Sequence, residues 1–190
     1  MQKSKHTLSV STLAVVGILS ALVFVTSFLS IPIGDISRIH FGNIMCLLSG
    51  LLFGPLIGGI SAGLGSMLFD VFNPLYAPEF WITFLTKFAM GFVAGWLHRY
   101  GFKKLHAKLR YLFSALIAAL VYVVLYLFKN FILSYYVKGI PWNALWVDLS
   151  IKAGSSTVNA IIAVIGSVLL ALALQPALAA SGLFKKQLGQ

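Results

Sequence analysis

The chain is a succession of long apolar stretches separated by short polar breaks, and this constrains its fold more than any other feature. The first stretch, Leu8 to Leu29, already reaches the ~20 residues a helix needs to cross the ~30 Å hydrocarbon core of a bilayer. Charged residues make up 9% of the sequence, against about 25% in ordinary soluble domains. That excludes a soluble protein with a wetted surface. Backbone polar groups in lipid must be satisfied within the spanning structure, which favours helices. The expected class is an all-α integral membrane protein forming a single domain over residues 1–190.

Breakers divide the chain into six helices. Helix 1 is read over Leu8–Ser30, ended by Pro32 and Gly34, with Ile31–Ser37 as a short loop. Helix 2 runs from about Ile39 to Phe53 and stops at Gly54-Pro55, a strong turn pair. Helix 3, Leu56–Phe72, is rich in Gly, Ala and Ser, which lets helices approach closely. Helix 4 covers Glu79–Leu97 and helix 5 covers Tyr111–Tyr135. Helix 6 covers Trp142–Leu174, longer than one bilayer thickness and so broken or tilted. The first stretch is long for a signal sequence and lacks a cleavage site, so it is read as a permanent span. Cys46 stands alone, so no disulfide framework is expected.

Charge sets the orientation. The net charge of +10 would suggest nucleic acid in a soluble protein, but the basic residues fall in the polar breaks. With the N-terminus inside, Lys3, Lys5, Arg99, Lys103, Lys104, Lys108, Arg110, Lys185 and Lys186 all face the cytoplasm, as cytoplasmic loops prefer. Asp35, Asp70, Glu79 and Asp148 then lie at or near the outer ends. Six helices with both ends inside satisfy this; five do not.

The sequence has no Walker motif for ATP hydrolysis, no zinc-ligand cluster and no nucleophile elbow. No enzyme activity, metal or cofactor is expected. What stands out is an uneven placement of polar groups, which are costly inside a span and generally face a cavity. They gather in the outer half: Arg38, His40 and Asn43 at the start of helix 2; Asp70 at the end of helix 3; Glu79, Trp81, Thr83 and Lys87 in helix 4. Tyr126, Lys129 and Asn130 near the end of helix 5, and Trp146, Asp148, Lys152 and Asn159 in helix 6, complete the set. A pocket open to the outside has this pattern.

Lys87 and Lys152 are the sharpest of these. Each either pairs with an acid (Asp70 for Lys87, Asp148 for Lys152), contacts a ligand, or snorkels to the interface. Asn159 serves either helix bonding or a ligand. Trp81 and Trp146 are either belt residues or stacking surfaces for a flat ring. On helix 1, Ala14, Gly17 and Ala21 form a small-residue stripe, suited either to packing within the chain or to docking a partner helix.

The stretches Arg38-Ile-His-Phe-Gly-Asn43, Leu-Leu-Phe-Gly-Pro55-Leu-Ile-Gly-Gly59, Ser61-Ala-Gly-Leu-Gly-Ser66 and Ile82-Thr-Phe-Leu-Thr-Lys87-Phe-Ala-Met-Gly91 resemble helices 2 to 4 of the S components of energy-coupling factor (ECF) vitamin transporters. The resemblance covers nearly the whole chain. It implies a substrate-binding subunit that captures a vitamin at the outer face of a prokaryotic plasma membrane. It further implies partnership with a transmembrane T component and two ATPases, with Ala14, Gly17 and Ala21 at the T-component contact. Loop 31–37 would cap the pocket, and the subunit would topple in the membrane to release its cargo inward. Within the superfamily the chain looks closest to pyridoxine- or hydroxymethylpyrimidine-type members, with pantothenate next. The competing reading is a self-sufficient secondary transporter or small channel, which would need internal repeats or a continuous polar path. The halves do not align and the inner helix halves are apolar.

Overall fold

The computed structural model describes residues 9–33 and 37–180. Lys3, Lys5, Asp35, Lys185 and Lys186, and the part of the expected cap around Asp35, lie outside them. The order is α1 (Val10–Phe28), a hairpin of β1 (Ser30–Ile33) and β2 (Ser37–His40), α2 (Gly42–Phe53), α3 (Pro55–Val71), α4 (Phe80–Trp96), α5 (Ala107–Ile132) and α6 (Trp142–Ala180). A single 3-10 turn, Ala77–Glu79, leads into α4. Wider π-type turns, Leu97–Gly101 and Leu133–Val137, finish α4 and α5.

The six-helix architecture is as expected, with one addition and several shifted boundaries. Residues 30–33 and 37–40 pair as an antiparallel hairpin in which Ser30 faces His40 and Ile33 faces Ser37. Arg38 and His40 therefore sit on a strand and not on helix 2, which begins at Gly42. Helix 5 begins at Ala107, so Lys108 and Arg110 belong to its first turn and not to the preceding loop. Helix 6 is unbroken for 39 residues, continuing through Pro176 to Ala180. At ~1.5 Å per residue that is almost twice the hydrocarbon thickness.

Among the described residues, four helices, with their terminal turns included, are long and apolar enough to cross a membrane. The other two, α2 and α3, have 12 and 17 residues. α2 is buried along most of its length, including Cys46, Leu47, Leu48, Leu51 and Leu52. A helix this short spans only ~18 Å, and the chain completes the outer part of the crossing as strand β2. Such non-helical backbone is tolerated at depth because it is enclosed by protein and lines a cavity.

Away from the hairpin, three helices pack closely against one another. α2, α3 and α4 meet there backbone to backbone. A Cβ on Gly58 would overlap the backbone of Gly50, one on Gly50 would overlap the Gly91 carbonyl, and one on Gly91 would lie 2.5 Å from the Gly58 carbonyl oxygen. The α2–α3 turn itself depends on Gly54, whose φ of +87° disfavours any side chain. Pro55 follows as the first residue of α3, where its missing N–H costs nothing. Because the interface is backbone against backbone, the smallest overpacking cannot be absorbed by a rotamer change. Gly91→Ala is expected to destabilise the protein by about 1–3 kcal/mol, whereas Gly154→Ala, where an added Cβ meets nothing within 4 Å, should leave the thermal unfolding midpoint in detergent unchanged.

Candidate functional site

At the hairpin end the helices separate around a cavity of about 210 Å³. Its floor is Lys87, halfway along α4 and 4% exposed. The Lys87 ammonium donates to the Asn43 side-chain carbonyl on α2 and lies 3.8 Å from the centre of the Tyr122 ring on α5. Among the described residues no carboxylate comes within ion-pair distance of it. The expected Lys87–Asp70 pair is thus not formed. Asp70, at the end of α3, instead faces Arg38 at 3.8 Å. The Arg38 guanidinium stacks between the rings of Phe69 and Tyr76, at 4.1 and 4.7 Å, which fixes it more firmly than the long ion pair alone.

The walls carry two further pairs. Lys129 on α5 meets Glu79 at 2.6 Å. Lys152 meets Asp148 at 2.8 Å, one turn apart on α6 as expected, and the Ser134 hydroxyl donates to the same carboxylate at 3.0 Å. The lining therefore holds five cations (Arg38, Lys87, Lys129, Lys138, Lys152) against three carboxylates (Asp70, Glu79, Asp148). Lys138 at the mouth and Lys87 at the floor are the two with no ion-pair partner among the described residues. Burial pushes the Tyr76 phenol above its usual range, with Arg38 opposing and the nearby carboxylates reinforcing the shift. It stays a neutral hydrogen-bonding group at physiological pH.

The hairpin closes one side, and α6 holds it there. Asn159 accepts from the His40 backbone N–H at 2.8 Å and donates to the Arg38 carbonyl at 2.8 Å. An amide side chain that both accepts from and donates to a strand edge serves as a substitute neighbouring strand. The hydroxyls of Ser37 and Ser155 meet at 2.5 Å beside it. The helix bonding expected of Asn159 is thus replaced by bonding to strand β2.

Ten of the thirteen expected site residues line the cavity: Arg38, His40, Asp70, Glu79, Thr83, Lys87, Tyr126, Asn130, Lys152 and Asn159. Asn43 lies directly beneath, fully buried, holding Lys87. Trp81 and Trp146 do not join them. Their side chains are 56% and 52% exposed on the outside of the bundle, where belt residues sit. Sequence reasoning missed Tyr122 and Ser37, and also Tyr76, Ser134 and Lys138. Tyr122, Tyr126 and Asn130 fall at i, i+4 and i+8 on α5, so one polar stripe already placed all three on a single face. Ser37 had no such periodicity, because it belongs to a four-residue strand.

On α1, the faces are divided. Ser20 and Val23 pack into the groove left by Gly65 of α3. Ala14, Gly17 and Ala21 are exposed, and a Cβ on Gly17 would meet nothing within 4 Å. The stripe is not consumed by packing within the chain.

Loss of both Asn159 bonds should free the hairpin without emptying the core. Asn159→Ala is expected to speed hydrogen exchange at the His40 amide by about tenfold, the worth of one buried hydrogen bond, while the amides of α2 keep their protection.

The family model described as "ECF-type riboflavin transporter, S component" matches residues 7–176. Among solved structures, one described as "Structure and mechanism of the S component of a bacterial ECF transporter" superposes with a TM-score of 0.66 at 24% identity, covering 88% of this chain and 96% of that one. At that identity it speaks for the fold alone. No curated protein matches the chain. With a family match over most of its length, and a multi-helix bundle that agrees with it, this chain belongs to the ECF-type riboflavin transporter S component family, a family of membrane transporter binding subunits and not of enzymes.

Proposed function

We propose that the cavity captures a flavin-type vitamin at the outer face, and that the chain delivers it inward with a T component and two ATPases. The observation that carries this reading is Lys87, a buried ammonium whose neighbours are one amide oxygen and one aromatic face. A cation so placed selects a ligand edge rich in carbonyl oxygens, because a charge-assisted bond in a low-dielectric site outweighs a neutral one. The pyrimidine-dione edge of a flavin ring offers such oxygens. Tyr122 and Tyr126 supply ring faces, and Ser37, Asn130 and Ser155 supply partners for a hydroxylated chain.

The family match favours riboflavin over the pyridoxine- and hydroxymethylpyrimidine-type rings and the pantothenate suggested by the sequence. The cavity volume of about 210 Å³ lies below the ~300–1,000 Å³ of typical ligand pockets. On this reading a tricyclic ring is admitted by displacement of the hairpin, which is held to α6 by few bonds. The exposed small residues of α1 suit close docking of a partner helix in lipid, where small side chains let backbones approach.

Titration of the purified protein, without ATP, against riboflavin, pyridoxine, hydroxymethylpyrimidine and pantothenate tests the reading. Riboflavin should bind tightest. Preference for another vitamin would overturn the flavin assignment, and no binding at all would overturn vitamin capture. Lys87→Met should weaken riboflavin binding by about tenfold or more, the worth of a hydrogen bond to a charged group; unchanged affinity would assign Lys87 a structural role. Gly17→Leu should leave binding intact and reduce uptake by cells carrying the full transporter. Equal loss of both would indicate misfolding.

A further inference from the structure

A second cavity, of about 350 Å³, opens at the opposite end of the bundle. It lies where the α2–α3 turn, the end of α4, the start of α5 and the end of α6 converge. Gly54, His98, Arg99, Arg110, Tyr111 and Gln175 shape it. We propose that this cavity is a binding site for a phosphate-type anion, independent of the vitamin site.

Two arginines converge on it from different elements. The Arg99 guanidinium lies flat against the α2–α3 turn, so that a Cβ on Gly54 would sit 3.1 Å from its central carbon. The absence of a side chain at Gly54 is what lets the group lie there. Arg110 enters from the first turn of α5, and its Nε–H is fully buried with no hydrogen-bond partner among the described residues. His98 Nδ1 is likewise buried without a partner, while its ring stacks on Tyr111 at 4.1 Å between centroids. An arginine that merely snorkels keeps its donors in water. A guanidinium with a buried, unmet N–H beside a cavity is instead short of an acceptor.

Among the described residues no carboxylate side chain is placed to supply one. The sequence has four acidic residues. Asp70, Glu79 and Asp148 line the other cavity and pair there, and Asp35 is outside the described residues. The exposed Lys103, Lys104 and Lys108 nearby add to the positive field. Two guanidinium groups lining one cavity suit a tetrahedral oxyanion, since each planar fork can pair with two of its oxygens. The positive-inside rule puts this end at the cytoplasmic face. There the group could come from a free phosphate or from the headgroup of an anionic inner-leaflet lipid.

The test uses the full chain in nanodiscs. In discs of phosphatidylglycerol, native mass spectrometry should find phosphatidylglycerol retained by the wild type. In discs of phosphatidylcholine alone, added inorganic phosphate is followed by thermal shift. Retained phosphatidylglycerol identifies a lipid source; stabilisation by inorganic phosphate identifies a soluble one. In either arm, Arg99→Gln and Arg110→Gln should each weaken the effect by about tenfold, and Lys103→Gln, on the open surface, should not. Absence of both effects in the wild type would overturn the proposal. So would equal loss in Lys103→Gln, which would reduce the attraction to a diffuse basic patch.

Discussion

A positive charge buried in the middle of a membrane bundle has to be neutralised or held, and Lys87 is held without being neutralised. Its ammonium rests on the Asn43 oxygen and the Tyr122 ring. Three helices, α2, α4 and α5, must converge to bring these groups together. The glycine-lined contact of α2, α3 and α4 fixes two of them from the other end of the bundle. The closely packed helices and the polar cavity are thus one construction: close backbone packing on one side sets the geometry of the cation on the other.

The hairpin follows from the same constraint. α2 is too short to cross a bilayer, so the chain above it cannot be ordinary loop; its backbone groups would meet hydrocarbon. Strand pairing within the hairpin satisfies part of that backbone, and Asn159 satisfies the edge facing α6. A cover attached by one amide and one pair of serine hydroxyls is firm enough to exclude lipid. On the proposed reading it yields to a ligand whose binding free energy exceeds a few hydrogen bonds.

Much of this was legible in the sequence, for identifiable reasons. Spans are long and apolar, so hydropathy and the Gly54-Pro55 break located the helices. Ionisable residues are rare in lipid, so nearly every one in the outer half had to face the cavity. Pairing was legible only within an element: Lys152 and Asp148 sit one turn apart on α6, and their contact is forced. Lys87 and Asp70 lie on different helices, and Arg38, displaced onto a strand, claimed the carboxylate instead. The strand itself was hidden because Ile-Pro-Ile and Ser-Arg-Ile-His are too short to show a period, and the apolar run of α2 extends back to Ile39 without a capping residue. The tryptophans misled for a related reason. Amphipathic rings suit both a pocket and a membrane interface, and spacing alone does not separate the two.

The central claim is that the polar cavity exists to hold a vitamin-sized solute. The most direct measurement is mass spectrometry of small molecules released when the protein, purified without added ligand, is denatured. A flavin released at a ratio approaching one per chain is the predicted result. Release of no vitamin, from protein that also takes none up when cells are grown with excess, would contradict the account.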